Sequence, residues 1–81
     1  MDRPSLLALF QKMAGEVAEK DLTGLEESSV IADIGVDSLA MLEIVGEMEL
    51  ELGVQIPDDE LVGIETVQQL LNLVEKRVAT A

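Results

Sequence analysis

Ser38 stands in the stretch Gly-Val-Asp-Ser-Leu-Ala, residues 35–40, between Asp37 and Leu39. Its hydroxyl could form part of a helix entrance, act as a nucleophile, or serve as a point of covalent attachment. The chain contains no histidine and no cysteine. Ser-His-Asp and Cys-His arrangements are therefore impossible, as are zinc sites of the usual kind. No glycine-rich phosphate loop followed by a lysine is present either. Carboxylates are abundant, but acidic helix surfaces produce pairs of them without any acid–base role. The run Asp33–Ile44 begins with an acid, as a calcium loop does. However, Gly35, Ser38 and Ile44 fall where such a loop needs an oxygen ligand, a glycine and a glutamate. No catalytic residue and no metal site is expected. A helix beginning at Ser38 would present free N–H groups and partial positive charge there, a setting that stabilises an anion. Chemistry and spacing thus leave two readings of Ser38: a plain helix entrance, or an attachment point for an anionic group.

The elements that must hold this serine follow from the hydrophobic pattern. Leu6, Phe10, Met13 and Val17, with Leu9 beside them, mark one face of an amphipathic helix over residues 4–19. Asp2 and Pro4 suit its start, and Lys20 its C-terminal end. Residues 21–36 lose that periodicity and read as a long loop pinned to the core by Leu22, Leu25, Val30 and Ile34. Loops of this length are usually functional. The second helix is expected over Ser38–Leu52, with Asp37 as N-cap and Gly53 as the stop. Pro57 and then Asp58, as N-cap, introduce one short helix. The last helix opens on Thr66 and Gln69 in a capping-box relation, and Val67, Leu70, Leu71, Val74 and Val78 form its apolar stripe. Lys76 and Arg77 complement the dipole at its far end. The fold class expected is all-α: a small four-helix bundle of three longer helices and one short third helix, in a single freestanding domain of residues 1–81.

The second helix carries two apolar tracks. Met41, Ile44, Val45, Met48 and Leu52 have the rhythm of a buried stripe. Leu39, Leu42, Gly46 and Leu50 form another, with Glu43, Glu47, Glu49 and Glu51 interleaved. So small a domain cannot easily bury both. The second track is either a docking surface rimmed by carboxylates or a cover for the end of the long loop.

Composition narrows the partners. Seventeen acidic residues against 5 basic ones give a formal net charge of −12. Nucleic acid and anionic membranes are disfavoured by repulsion, whereas basic protein surfaces are favoured. The start, Met-Asp-Arg-Pro-Ser-Leu-Leu-Ala-Leu-Phe, is not a signal peptide, and no stretch approaches a bilayer span. A soluble, cytoplasmic monomer is expected.

The segments Ser28–Val45, Glu51–Leu61 and Ile64–Val74, taken in this order and spacing, resemble the acyl carrier proteins. The first matches that family's loop, Asp-Ser-Leu motif and acidic helix. The second matches its turn and short third helix, and the third the start of its last helix. The resemblance implies that Ser38 carries 4′-phosphopantetheine, taken from coenzyme A, through a phosphodiester. It further implies a non-enzymatic role, holding acyl groups as thioesters and delivering them to partner enzymes. A chain without cysteine has no thiol of its own, so the thiol must come from the arm. A flexible tether also gives high effective concentration at successive active sites. Asp37, Leu39, Leu42, Glu43, Gly46, Glu47 and Glu49 become partner-recognition residues by the same resemblance. The chain departs from the family's common pattern at Gly46, where a larger apolar residue is usual, and at Leu50, often acidic in fatty-acid carriers. The implied partners are a phosphopantetheinyl transferase, a ketosynthase, an acyltransferase and other polyketide or fatty-acid synthase enzymes. The segments Gly35–Glu43 and Gly53–Gly63 look most like discrete carriers of polyketide assembly. Fatty-acid or aminoacyl carriage, and an unmodified acidic interaction module, are the alternatives.

Overall fold

The computed structural model describes residues 2–19, 22 and 24–80. Three α-helices, α1 (Arg3–Ala18), α2 (Ser38–Leu52) and α3 (Val67–Thr80), are joined by connections that each contain one 3-10 turn, Ile31–Ile34 and Asp58–Leu61. There is no strand among the described residues. An antiparallel bridge links Val30 to Thr66.

Helix α1 starts where the sequence places an N-cap. Asp2 is extended, and its carboxylate accepts a hydrogen bond from the Ser5 N–H at 3.0 Å. Pro4 lies in the first turn, where no intrahelical N–H is required. Bonds from the Ser5 hydroxyl and amide lower the Asp2 pKa below the ordinary carboxylate value. The cap is therefore present above that value and is lost as pH falls through the lowered one. At the other end Glu19 sits in the left-handed region at φ 57. Lys20 lies outside the described residues.

The core is aliphatic around one aromatic ring. Leu6, Phe10, Met13 and Ala14 of α1 meet Met41, Ile44, Val45 and Met48 of α2 and Val67, Leu70, Leu71 and Val74 of α3. Val78 is only half-buried. The long loop is anchored differently from expectation. Val30 is 40% exposed, and its neighbour Ile31 is buried instead. Pairing with α3 sets this register. The Ile31 N–H donates to the Glu65 carbonyl at 2.8 Å, Val67 N–H to Ser29 at 3.0 Å, and Gln68 N–H to Glu27 at 2.8 Å. Loop carbonyls thereby satisfy the unpaired first-turn amides of α3, and the alternation turns Ile31 inward and Val30 outward.

The Thr66 hydroxyl accepts from Gln69 N–H at 3.3 Å, and the Gln69 side chain accepts from the N–H groups of Glu65 and Thr66 at 2.7 and 3.1 Å. This is the capping box legible in the sequence. Arg3 adds a clamp that was not legible. Its guanidinium donates to Glu27 at 2.9 Å and to the Gln68 carbonyl at 3.3 Å, and reaches Asn72 and Glu75 as well. One cation thus ties α1, the loop and α3 together.

After α2, Gly53 takes φ 68, which its lack of a Cβ permits, and its N–H closes on the Glu49 carbonyl at 2.8 Å. The short helix expected next is one 3-10 turn, and Asp58 is not its N-cap. The Pro57 carbonyl accepts from Glu60 N–H at 3.1 Å, so Pro57 occupies the cap position and Asp58 is the first residue inside. Arg77 of α3 pins this turn by an ion pair with Glu60.

With a radius of gyration of 11.3 Å, the molecule is comparable to the Debye length of about 10 Å at 0.1 M salt. Its 12 excess negative charges therefore repel one another across the whole chain at low ionic strength. Raising sodium chloride from about 20 mM to 0.5 M is expected to raise the melting temperature by on the order of 5 °C, as read by circular dichroism. A fall would mean that the Arg3 and Arg77 ion pairs outweigh the net repulsion.

Candidate functional site

Ser38 is the first residue of α2, and the helix starts there because Asp37 caps it. The Asp37 carboxylate accepts from Ala40 N–H at 2.8 Å, and its carbonyl from Met41 N–H at 2.8 Å. Asp37, Ser38 and Leu39 are all exposed. Gly35, in the left-handed region at φ 86, ends the preceding 3-10 turn and delivers Val36 into the core just before the cap.

Ser38 borders a groove of about 720 Å³. One wall is the end of the long loop, Val30 to Ala32, continuing through Val36 to Ser38 and Met41. The other is Asp58 and the segment Leu61–Glu65. Most lining side chains are apolar, so the serine stands at a polar rim of an oily cleft. Sequence reading missed this second wall. Leu61, Val62 and Ile64 flank Gly63 without helical or strand periodicity, and only their clustering hinted at a surface. Val62 is 82% exposed beside the groove.

The two tracks of α2 separate cleanly. Met41, Ile44, Val45 and Met48 are buried. Leu39, Leu42 and Leu50 remain exposed, at 66%, 41% and 84%. Leu39 and Leu42 therefore do not serve as a lid on the long loop. Glu43 and Glu47 are exposed alongside them, and Gly46 is half-covered in their midst. Glu49 behaves differently from the other acids. Half-buried, it turns its carboxylate onto Ile56 N–H at 2.6 Å, so it secures the turn after α2 and does not extend into solvent. Ser38, Asp37, Leu39, Leu42, Glu43, Gly46 and Glu47 thus share one accessible helix surface, and Glu49 leaves it.

No helix among the described residues is long and apolar enough to cross a membrane. An exposed hydroxyl beside an apolar cleft and an acidic helix suits tethering and docking, and the comparisons with known proteins agree. Residues 6–74 match the family described as phosphopantetheine attachment site. The tetracenomycin polyketide synthase acyl carrier protein of Streptomyces glaucescens is 38% identical, over 94% of this chain and 88% of its own length. The crystal structure of an acyl carrier protein from Thermotoga maritima superposes with a TM-score of 0.91 at 31% identity, covering 99% of this chain and 94% of that one. A 3-oxo-butyl intermediate mimic on the carrier of the Streptomyces coelicolor actinorhodin polyketide synthase gives 0.76 at 34% identity, covering 89% and 88%. Matched along nearly its whole length in both sequence and fold, the chain belongs to the phosphopantetheine attachment site family, as an acyl carrier protein.

Proposed function

We propose that this chain carries growing acyl or polyketide intermediates as thioesters on a 4′-phosphopantetheine arm esterified to Ser38. One observation carries the reading: an exposed serine opens α2 at the rim of an apolar groove. The chain around Ser38 fits the group. The hydroxyl is accessible, the start of α2 offers positive helix-dipole character to a phosphate, and Val30, Ile31, Leu61 and Ile64 offer apolar surface to a flexible chain. When attached, the arm supplies the thiol that this cysteine-free chain lacks. Asp37 holds the helix start in register, so the attachment point is rigid while its cargo is mobile.

Leu39 and Leu42 supply apolar contact to partner enzymes, and Asp37, Glu43 and Glu47 supply charge that steers basic partner rims. The partners are a phosphopantetheinyl transferase, a ketosynthase, an acyltransferase and related synthase enzymes. Polyketide assembly is the favoured pathway because the tetracenomycin and actinorhodin carriers are among the chain's relatives. The functional unit is a single cytoplasmic domain over residues 1–81, with the Asp58–Leu61 turn as the short third member of a four-helix bundle.

The test is incubation with coenzyme A, magnesium and a permissive phosphopantetheinyl transferase, followed by intact-mass spectrometry. Wild type is expected to gain one arm and Ser38→Ala none. No gain on wild type with a transferase proven active on another carrier would leave the unmodified interaction module as the better reading.

A further inference from the structure

Of the groove's two walls, the one formed by Asp58 and Leu61–Glu65 is fastened mainly at its ends. Ile56 is buried before it and Val67 after it, but no residue from 57 to 66 is buried. Upstream, the Ile56 N–H is held by Glu49. Downstream, the Glu65 carbonyl accepts from Ile31 N–H. Between these ties the Asp58–Leu61 turn has no side-chain cap, and Leu61 and Ile64 pack on the core from half-buried positions. What joins this stretch to α3 by side chain is the Glu60–Arg77 ion pair. Arg77 lies in the last turn of α3, past Val74, after which no described residue of the helix is buried.

The geometry of the turn sets what the pair can do. In a 3-10 turn, side chains at i and i+3 eclipse. Asp58 and Leu61 therefore share one face, and both line the groove, whereas Glu60 points about 120° away and does not line it. Arg77 does not line it either. The pair stands behind the wall, where it can fix Leu61 without touching what the groove contains. Both side chains are 33% exposed, so water screens their attraction only in part.

We infer that Arg77 is a positioning residue for the cargo: acting through Glu60, it braces the Asp58–Leu61 turn and so sets how closely the groove grips an acyl chain. The inference rests on the carrier reading of Ser38. The cargo gripped is uncharged and apolar, because Val30, Ile31, Leu61 and Ile64 offer it aliphatic surface and the charged lining residues, Asp37, Asp58 and Glu65, are all acids. With the pair intact, the wall stays against such a chain and keeps nucleophiles from the adjoining thioester. With the pair cut, the turn loosens and the chain spends more time outside.

The experiment loads wild type, Arg77→Gln, Glu60→Gln and Arg77→Lys with octanoyl and acetyl arms, using the matching coenzyme A thioesters and a permissive transferase. Release of each acyl group by neutral hydroxylamine is followed by intact mass and divided by the rate for the free pantetheine thioester. Wild type is expected to release octanoyl more slowly than acetyl, which is too short to meet the wall. Arg77→Gln and Glu60→Gln are both expected to speed octanoyl release by about 2- to 5-fold, the scale of a partly exposed ion pair. Acetyl release and helix content stay unchanged, and Arg77→Lys, which keeps the charge, remains closer to wild type. The two Gln variants move the net charge in opposite directions, so a shared effect belongs to the pair and not to the charge of the whole chain. Octanoyl release unchanged in either Gln variant, or acetyl release accelerated to the same degree, overturns the brace and leaves Ser38 as the tether. So does a wild type that shelters octanoyl no better than acetyl. Wild type that takes up no arm from a transferase active on another carrier overturns the carrier reading, and the brace with it.

Discussion

Phe10→Ala is expected to lose about 3–5 kcal/mol of folding stability, the usual cost of removing a buried ring. Phe10 is the chain's one aromatic residue, and it is fully buried at the meeting of α1 with α2 and α3. Its neighbours are aliphatic side chains fixed to three different helices, so they cannot collapse together to fill the void. Total stability for a chain of this length is only about 4–12 kcal/mol, which makes the substitution decisive. Urea titration followed by circular dichroism should show a much lower midpoint, or a population already unfolded in buffer. Since Phe10 is remote in sequence from Ser38, any loss of arm loading should parallel the unfolded fraction. An extrapolated unfolding free energy within about 1 kcal/mol of wild type would mean that the three helices repack around the gap.

Charge reversal at Glu49 and at Glu43 is expected to have opposite consequences, although the two residues look alike in sequence. Glu49→Lys removes the acceptor of the Ile56 N–H, a 2.6 Å bond to the backbone of a buried residue. A hydrogen bond to an ionised group, with the donor then left unpaired, is worth about 1.5–3 kcal/mol. The same carboxylate holds the chain as it leaves Gly53, so its loss should also loosen the segment leading to the Asp58–Leu61 turn. Asp58 and Leu61 of that turn line the groove. Glu43→Lys touches an exposed residue and should change stability by no more than about 0.5 kcal/mol. Its effect should instead appear as slower, less salt-sensitive association with basic partner enzymes. Thermal melts and association rates at two salt concentrations separate the two cases. If Glu49→Lys melts like wild type, its carboxylate is free to serve recognition after all.

Much of this molecule is written locally. Asp37 and Gly53 bound α2 because a carboxylate can accept from an N–H three residues on, and a glycine can turn left-handed. Both are properties of a few consecutive residues. The Thr66–Gln69 box is legible for the same reason, and the buried stripes of all three helices follow from 3.6-residue periodicity. The absence of histidine and cysteine needs no structure to exclude the commonest nucleophile arrangements.

Tertiary structure decided what depends on contacts between distant segments. Whether Val30 or Ile31 faces the core is set by pairing with Glu65 and Val67, more than thirty residues away. Likewise, Arg3 becomes a clamp only once the loop and α3 meet beside it. Leu39 and Leu42 carried two readings until the fold left them uncovered, and Glu49 passed as one more surface acid until Ile56 came within its reach. The groove beside Ser38 has one wall from residues 30–41 and one from beyond residue 57, so neither segment contains it alone. Sequence determined where Ser38 sits on its helix, and the packing of remote segments determined the cleft it opens onto.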